Sequence, residues 1–196
     1  MVAGQRPSAE TQIKNGGRGM NRLKLAGGLA VLVVIFGLLA LTRPFRFETR
    51  GVEVGERVPA YSAPNLAGDE VALDDYIGEV VLLNVWATWC GPCRVEMPPI
   101  QASYDRYRDR GFTVLAVSID AGPGYREKVE EFAEAFELDF PVLLDPDGRI
   151  GRIFQTVGVP ETFVLDRQGR IAKRLIGATN WDSPGNQALI DELLRM

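Results

Sequence analysis

The 196-residue sequence has no histidine and only two cysteines. Without histidine, the chain cannot build a Ser-His-Asp triad, an imidazole base or a histidine-ligated zinc site. Proton transfer near neutral pH must then use a carboxylate, a thiol, an amine or water. Two cysteines are too few for the disulfide framework of a small secreted protein, and they can form one bond.

Charge is divided unevenly along the chain. Residues 1–43 hold six cations and one anion, a net charge of +5, whereas residues 44–196 hold 16 cations and 25 anions, a net charge of −9. The phosphate backbone repels an acidic body of this kind, so nucleic-acid binding is disfavoured. The apolar fraction of 46% indicates a globular protein.

An uncharged apolar segment lies between Lys24 and Arg43. As a helix, its 18 residues extend about 27 Å, close to the hydrocarbon thickness of a bilayer. A buried globular helix is rarely apolar on every face, and a cleaved signal peptide usually has a shorter apolar region and a small-x-small cleavage site. The sequence therefore predicts a disordered cytoplasmic tail over 1–24, an uncleaved transmembrane anchor over 25–42, a linker over 43–57 and a folded domain over 58–196. Four cations lie near each end of the anchor, so the positive-inside count is tied.

Apolar runs in the folded domain predict a mixed α/β architecture. Val80–Trp86 and Thr113–Ile119 are apolar runs of strand length, which is typical of central strands covered on both faces. The other predicted elements are a small hairpin near 66–73, helices over 90–110, 126–138 and 185–195, a strand over 141–145, and a hairpin of strands 162–165 and 170–176. Their order predicts a mixed sheet with helices on both faces.

The two cysteines form the sequence Cys90-Gly91-Pro92-Cys93 at the predicted start of a helix. Free N–H groups and the positive end of the helix dipole favour a thiolate at Cys90. Two intervening residues bring the sulfurs close enough to bond. The alternative, half of a zinc site, would have to be completed by carboxylates alone, so no metal is expected.

Residues 84–98, NVWATWCGPCRVEMP, resemble the thioredoxin superfamily and, more narrowly, the membrane-anchored TlpA/ResA/CcmG (DsbE) thiol-disulfide oxidoreductases. The resemblance covers about residues 52–195. It implies a thioredoxin-like mixed sheet flanked by helices, following the transmembrane helix. It also implies a redox-active disulfide between Cys90 and Cys93, and no cofactor.

Glu96 is the third catalytic residue that the resemblance implies. Thioredoxin has a buried aspartate six residues before its first cysteine, and this chain has Asn84 there, which cannot titrate. The anchored relatives use a glutamate three residues after the second cysteine, which corresponds to Glu96. Positions i and i+3 are neighbours on a helix. A partly desolvated carboxylate there would have a raised pKa suited to exchanging a proton with Cys93.

A second matching segment is GVPET over residues 158–162. The resemblance implies that Pro160 follows a cis peptide bond beside the cysteines, and that the backbone of Val159 pairs with a bound substrate chain. It also suggests that Glu161 lines the substrate cleft, and Trp89 supplies an apolar wall beside the cysteines. The predicted substrate-binding residues are therefore Trp89, Val159, Pro160 and Glu161.

The predicted reaction is thiol-disulfide exchange, in which Cys90 attacks a disulfide and Cys93 resolves the mixed disulfide. The Gly-Pro pair is that of thioredoxin, whose potential of about −270 mV favours a reductant. The resemblance implies reduction of extracytoplasmic proteins such as apocytochrome c during cytochrome c maturation, with recharging by a membrane electron donor of the CcdA/DsbD type. It implies a location on the outer face of the bacterial cytoplasmic membrane.

Two other functions remain open at this point. One is a disulfide oxidase or isomerase, which would have a potential of about −120 to −180 mV. The other is a non-enzymatic, membrane-tethered binding module, against which the intact cysteine pair argues. A peroxiredoxin is disfavoured, because Leu83 and Ala87 replace the proline and threonine of the Pro-x-x-x-Thr-x-x-Cys pattern.

Overall fold

The computed structural model describes residues 52–196, and no helix in that range is long and apolar enough to cross a bilayer. The predicted tail over 1–24, the predicted anchor over 25–42 and the first part of the predicted linker lie outside the described residues.

A small hairpin precedes the main sheet. Its strands are β1 (Ser62–Pro64) and β2 (Glu70–Ala72), which pair antiparallel, and a 3₁₀ turn over Leu73–Tyr76 follows them. The sequence predicts a hairpin at this place.

The main sheet has five strands: β3 (Val80–Trp86), β4 (Phe112–Ser118), β5 (Val142–Leu144), β6 (Glu161–Leu165) and β7 (Ile171–Ile176). Their spatial order is β5-β4-β3-β6-β7. Strand β4 is parallel to β3 and β5, whereas β6 is antiparallel to β3 and β7. This arrangement is the mixed sheet predicted from the order of the elements.

Four α-helices flank the sheet: α1 (Gly91–Tyr107), α2 (Tyr125–Ala135), α3 (Arg149–Phe154) and α4 (Pro184–Arg195). A 3₁₀ turn over Arg108–Arg110 continues α1. Helices α1, α2 and α4 agree with the predicted helices, with α2 ending earlier than predicted. Helix α3 is absent from the prediction, because six residues are too few to display a helical period.

The central strand β3 is buried at each of its positions. Successive side chains of a strand point to opposite faces. Accordingly, Leu82 packs in one apolar cluster with Met97 of α1 and Ile190 of α4, and Leu83 packs in a second cluster with Ile150 of α3. Coverage on both faces explains why the sequence of β3 is continuously apolar.

The residues just before β1 pack against β7, an edge strand of the main sheet. Val52 is buried, and the N–H of Gly55 donates to the carbonyl of Ile171 at 2.7 Å. The N–H of Ile171 in turn donates to the carbonyl of Glu56 at 2.9 Å. Residues 52–56, which belong to the predicted linker, therefore pack as part of the folded domain.

Candidate redox site

The cysteine pair lies at the junction of β3 and α1, where the carboxyl end of the central strand meets a helix start. Cys90 is the N-cap of α1, and its Sγ accepts a hydrogen bond from the N–H of Cys93 at 3.2 Å. The two sulfurs are bonded, and the Cα atoms are 5.3 Å apart. Pro92 occupies the first turn of α1, where its missing N–H leaves no helical hydrogen bond unmade.

The two sulfur-bearing residues differ in access. Cys90 is 5% exposed and Cys93 is 0% exposed. Exchange requires a thiolate to reach a sulfur atom directly. The approach from solvent is therefore through Cys90, and Cys93 is restricted to reacting with a group already attached to Cys90.

A buried carboxylate braces the loop that leads into Cys90. Asp120 follows β4 and accepts hydrogen bonds from the backbone N–H of Thr88 at 2.8 Å and from its hydroxyl at 2.6 Å. The hydroxyl of Ser118 donates to the same carboxylate at 2.8 Å. The sequence analysis does not predict a role for Asp120. Its position just after a buried strand, at the end of the sheet that carries the cysteines, could have indicated one.

Glu96 lies on α1 and is only 1% exposed. The amide Nδ2 of Asn84, on β3, donates to Glu96 Oε1 at 2.8 Å and to the hydroxyl oxygen of Thr162, on β6, at 2.9 Å. The backbone N–H of Thr179 makes a longer contact of 3.4 Å to Glu96 Oε2. The site thus joins Asn84, which stands where thioredoxin has a buried aspartate, and Glu96, the predicted acid-base residue.

Burial raises the pKa of Glu96 from 4.5 to about 7, because the ionised carboxylate loses its hydration. The hydrogen bonds from Asn84 and Thr179 act in the opposite direction. Trp181 also favours the ionised form, although its indole N–H makes no well-directed hydrogen bond within the described residues. Glu96 therefore has the proton affinity of a general acid-base group at neutral pH.

A surface cavity of about 340 Å³ gives solvent a route to this carboxylate. Its lining consists of Val95, Glu96, Pro99 and the segment Ala178–Asn180. A buried acid needs such a route to exchange its proton with water between reaction cycles.

The peptide bond between Val159 and Pro160 is cis, as the resemblance implies. Val159 is half-buried and packs against the apolar cluster that contains both cysteines. Trp89, directly before Cys90, is largely exposed, as are Val95 on α1 and Val157 in the loop before Pro160. The part of the chain that carries the cysteines thus presents large apolar side chains to solvent.

Glu161, which the sequence predicts to line the cleft, is completely buried. Its Oε1 accepts from Nε of Arg174 at 2.7 Å, and its Oε2 accepts from the backbone N–H of Val157 at 2.9 Å. Both carboxylate oxygens are therefore occupied inside the protein. A direct contact between Glu161 and a substrate stays a prediction, and so do the substrate contacts of Trp89, Val159 and Pro160.

Comparison with known proteins agrees with this site. The model of the AhpC/TSA family matches residues 54–174. The chain is 34% identical to the thioredoxin-like protein YneN of Bacillus subtilis, over 78% of this chain and 89% of that protein. It is also 34% identical to the thiol-disulfide oxidoreductase ResA of Geobacillus kaustophilus, over 76% of this chain and 84% of the relative.

A solved structure from Chlorobium tepidum, named as a thiol:disulfide interchange protein DsbE, superimposes with a TM-score of 0.66. It is 32% identical and covers 72% of this chain and 98% of its own length. The predicted thioredoxin-like fold and the resemblance to the ResA and DsbE proteins are thereby confirmed.

Proposed function

Because the chain belongs to the AhpC/TSA family and is a thiol-disulfide oxidoreductase of the ResA and DsbE type, we propose that it reduces disulfide bonds of proteins outside the cytoplasm, apocytochrome c among them, while anchored to the membrane. The observation that carries this proposal is the buried Glu96 carboxylate on the same helix as Cys93, with a pKa of about 7. A disulfide with a purely structural role does not require a buried carboxylate that can exchange protons at neutral pH.

In the proposed reaction, the thiolate of Cys90 attacks one sulfur of a substrate disulfide, and the other substrate sulfur leaves as a thiolate and takes a proton from solvent. Cys93 then gives its proton to Glu96 and attacks the Cys90 sulfur. The mixed disulfide breaks, the second substrate sulfur leaves as a thiolate and takes a proton from solvent, and the bond between Cys90 and Cys93 forms. The substrate gains two electrons, and the dithiol loses two.

A polypeptide substrate is supported by the exposed apolar side chains of Trp89, Val95 and Val157. Contacts of this kind bind an unfolded segment through burial of apolar area rather than through one specific side chain. The membrane anchor is supported by the apolar segment over 25–42, and a membrane electron donor of the CcdA/DsbD type would return the disulfide to the dithiol. The resemblance to the membrane-anchored TlpA/ResA/CcmG (DsbE) proteins supports the outer face of the bacterial cytoplasmic membrane as the location.

Trapping in cells tests the substrate. Cys93→Ser should leave Cys90 in stable mixed disulfides, because the buried resolving thiol is gone. The matched control is Cys90→Ser, which should trap nothing, since the buried Cys93 cannot be approached. Mass spectrometry then identifies the captured proteins. A captured set without apocytochromes removes that substrate but keeps the reductase, whereas equal capture by both variants contradicts the reaction order.

The direction and the location have separate tests. A measured potential near −270 mV supports a reductant, and a value of about −120 to −180 mV would favour the oxidase or isomerase alternative.

For location, a membrane-impermeant thiol reagent should label reduced Cys90 in intact cells, and the protein should sediment with membranes. Labelling only after lysis would contradict the outer-face assignment.

A further inference from the structure

An ion pair between a fully buried carboxylate and a partly exposed guanidinium lies beneath the loop that leads to Pro160. Glu161 on β6 is 0% exposed, and Nε of Arg174 on β7 donates to its Oε1 at 2.7 Å. The guanidinium of Arg174 also lies over the ring of Phe163, 5.2 Å from its centre. The two charges sit on adjacent strands of a hairpin, so the hairpin itself brings them together.

Each partner of the pair also holds the backbone of the loop. Glu161 Oε2 accepts from the N–H of Val157 at 2.9 Å, and Nη2 of Arg174 donates to the carbonyl of Gln155 at 2.8 Å. Gln155 has a φ of 52°, a left-handed conformation that few residues other than glycine adopt. Two backbone groups that have no other hydrogen-bond partner among the described residues are therefore fixed by one ion pair, at positions four and two residues before Val159.

Stability alone does not account for this arrangement. Burying the Glu161 carboxylate completely and most of the Arg174 side chain is expensive, and an apolar pair of similar volume often stabilises a fold equally well. What an apolar pair cannot do is accept from the N–H of Val157 and donate to the carbonyl of Gln155. The charges therefore serve the conformation of the loop, and a longer contact of 3.4 Å from Nη1 of Arg174 to the carbonyl of Val52 also ties the pair to the segment before β1.

We propose that Glu161 and Arg174 are positioning residues for substrate binding, which hold the segment Gln155–Val159 in the conformation that lets the backbone of Val159 pair with a substrate chain. The proposal rests on the proposed function, because it assumes a polypeptide disulfide as substrate. Neither side chain hydrogen-bonds to the cysteines, to Glu96 or to Asn84, so the pair acts on binding and not on the redox chemistry.

Two conservative variants separate the loop from the ion pair. Arg174→Lys keeps the positive charge, but a single ammonium cannot reproduce the two N–H directions that reach Glu161 and Gln155. Glu161→Gln replaces one of the two carboxylate oxygens with an NH2 donor, so the group that faces either Arg174 or Val157 can no longer accept a hydrogen bond. Either variant by itself carries the test if the other fails to fold.

The experiment follows single turnovers of the full chain, reduced beforehand, freed of excess reductant and held in detergent micelles, on two disulfides, so that the dithiol itself supplies the two electrons. One is an oxidised peptide containing Cys-Ala-Ala-Cys-His with three residues on each side, and the other is 5,5′-dithiobis(2-nitrobenzoate), which has no peptide backbone. Here kcat is the limiting rate and KM is the disulfide concentration at half of that rate. Each variant should raise KM for the peptide with little change in kcat. The ratio of kcat/KM for the peptide to that for the small disulfide should then fall roughly tenfold, the effect of losing one hydrogen bond to a charged group.

Asp191→Asn is the matched control, because it breaks the surface ion pair between Arg110 and Asp191, at 2.9 Å, away from the loop. It should leave the ratio unchanged. An unchanged ratio in Arg174→Lys and Glu161→Gln, or an equal loss of activity on both disulfides, overturns the proposal. Failure of the unsubstituted protein to reduce either disulfide would instead overturn the proposed function.

Discussion

The buried carboxylate of Glu96 should make the oxidised protein less stable as the pH rises. In the folded state its pKa is about 7, against 4.5 for an unperturbed glutamate. The folded state therefore binds this proton more tightly than the unfolded state does. The contribution to stability is fully present below pH 4.5 and is lost as the pH rises toward 7, with a total change of roughly 3 kcal/mol.

Glu96→Gln tests this magnitude, because glutamine resembles the protonated acid in shape and never ionises. Near pH 4 the variant and the unsubstituted protein should have similar free energies of unfolding. At pH 8 the variant should be more stable by roughly 3 kcal/mol, since it no longer holds a buried charge. The same variant should reduce disulfides more slowly at neutral pH, because it lacks the proposed proton acceptor of Cys93.

Urea unfolding of the oxidised form, followed by tryptophan fluorescence at a series of pH values, measures the effect. The oxidised form is chosen because neither cysteine can titrate in it. Glu192→Gln, at an exposed position of α4, is the matched control for the loss of one carboxylate charge. A difference curve for Glu96→Gln that stays flat from pH 4 to pH 8 would refute the reasoning.

Two further predictions concern the groups around the site. Asn84→Leu removes a donor that favours the ionised form of Glu96, so the pKa of Glu96 should rise further, as followed by carboxyl ¹³C resonances in the oxidised protein. A pKa that stays at about 7 or falls would contradict this. Thr88→Val removes the hydroxyl donor to the buried Asp120 and should lower the free energy of unfolding by about 1.5–3 kcal/mol in urea titrations. A loss below 0.5 kcal/mol would show that Asp120 has a replacement donor.

Local sequence patterns account for most of the fold. Strands β3 and β4 could be predicted because burial on both faces leaves continuous apolar runs, and α1 because the cysteine motif begins it. Helix α3 could not be predicted from periodicity. Its start depends on Asp145, whose carboxylate accepts from the backbone N–H groups of Arg149 and Ile150 at 3.0 and 2.7 Å. A capping contact of this kind, from a turn four residues upstream, leaves a weak pattern in the sequence.

The candidate site likewise contains residues that could be predicted from the sequence and residues that could not. Cys90, Cys93 and Glu96 are close in sequence at the start of one helix, so all three fall within the short motif on which the family resemblance rests. Residues that come together only when the strands of the sheet pair do not form a short motif in the sequence. Glu161 reads as a strand-end residue open to a substrate until the hairpin brings Arg174 beside it, 13 positions away.

The unequal burial of the two sulfur-bearing residues has a consequence for how the protein meets its partners. Since Cys90 is 5% exposed and Cys93 is 0% exposed, an electron donor and a disulfide substrate would both react at Cys90. Under the proposed function the two partners therefore bind at the same place one after the other, and electron transfer between them requires no direct contact.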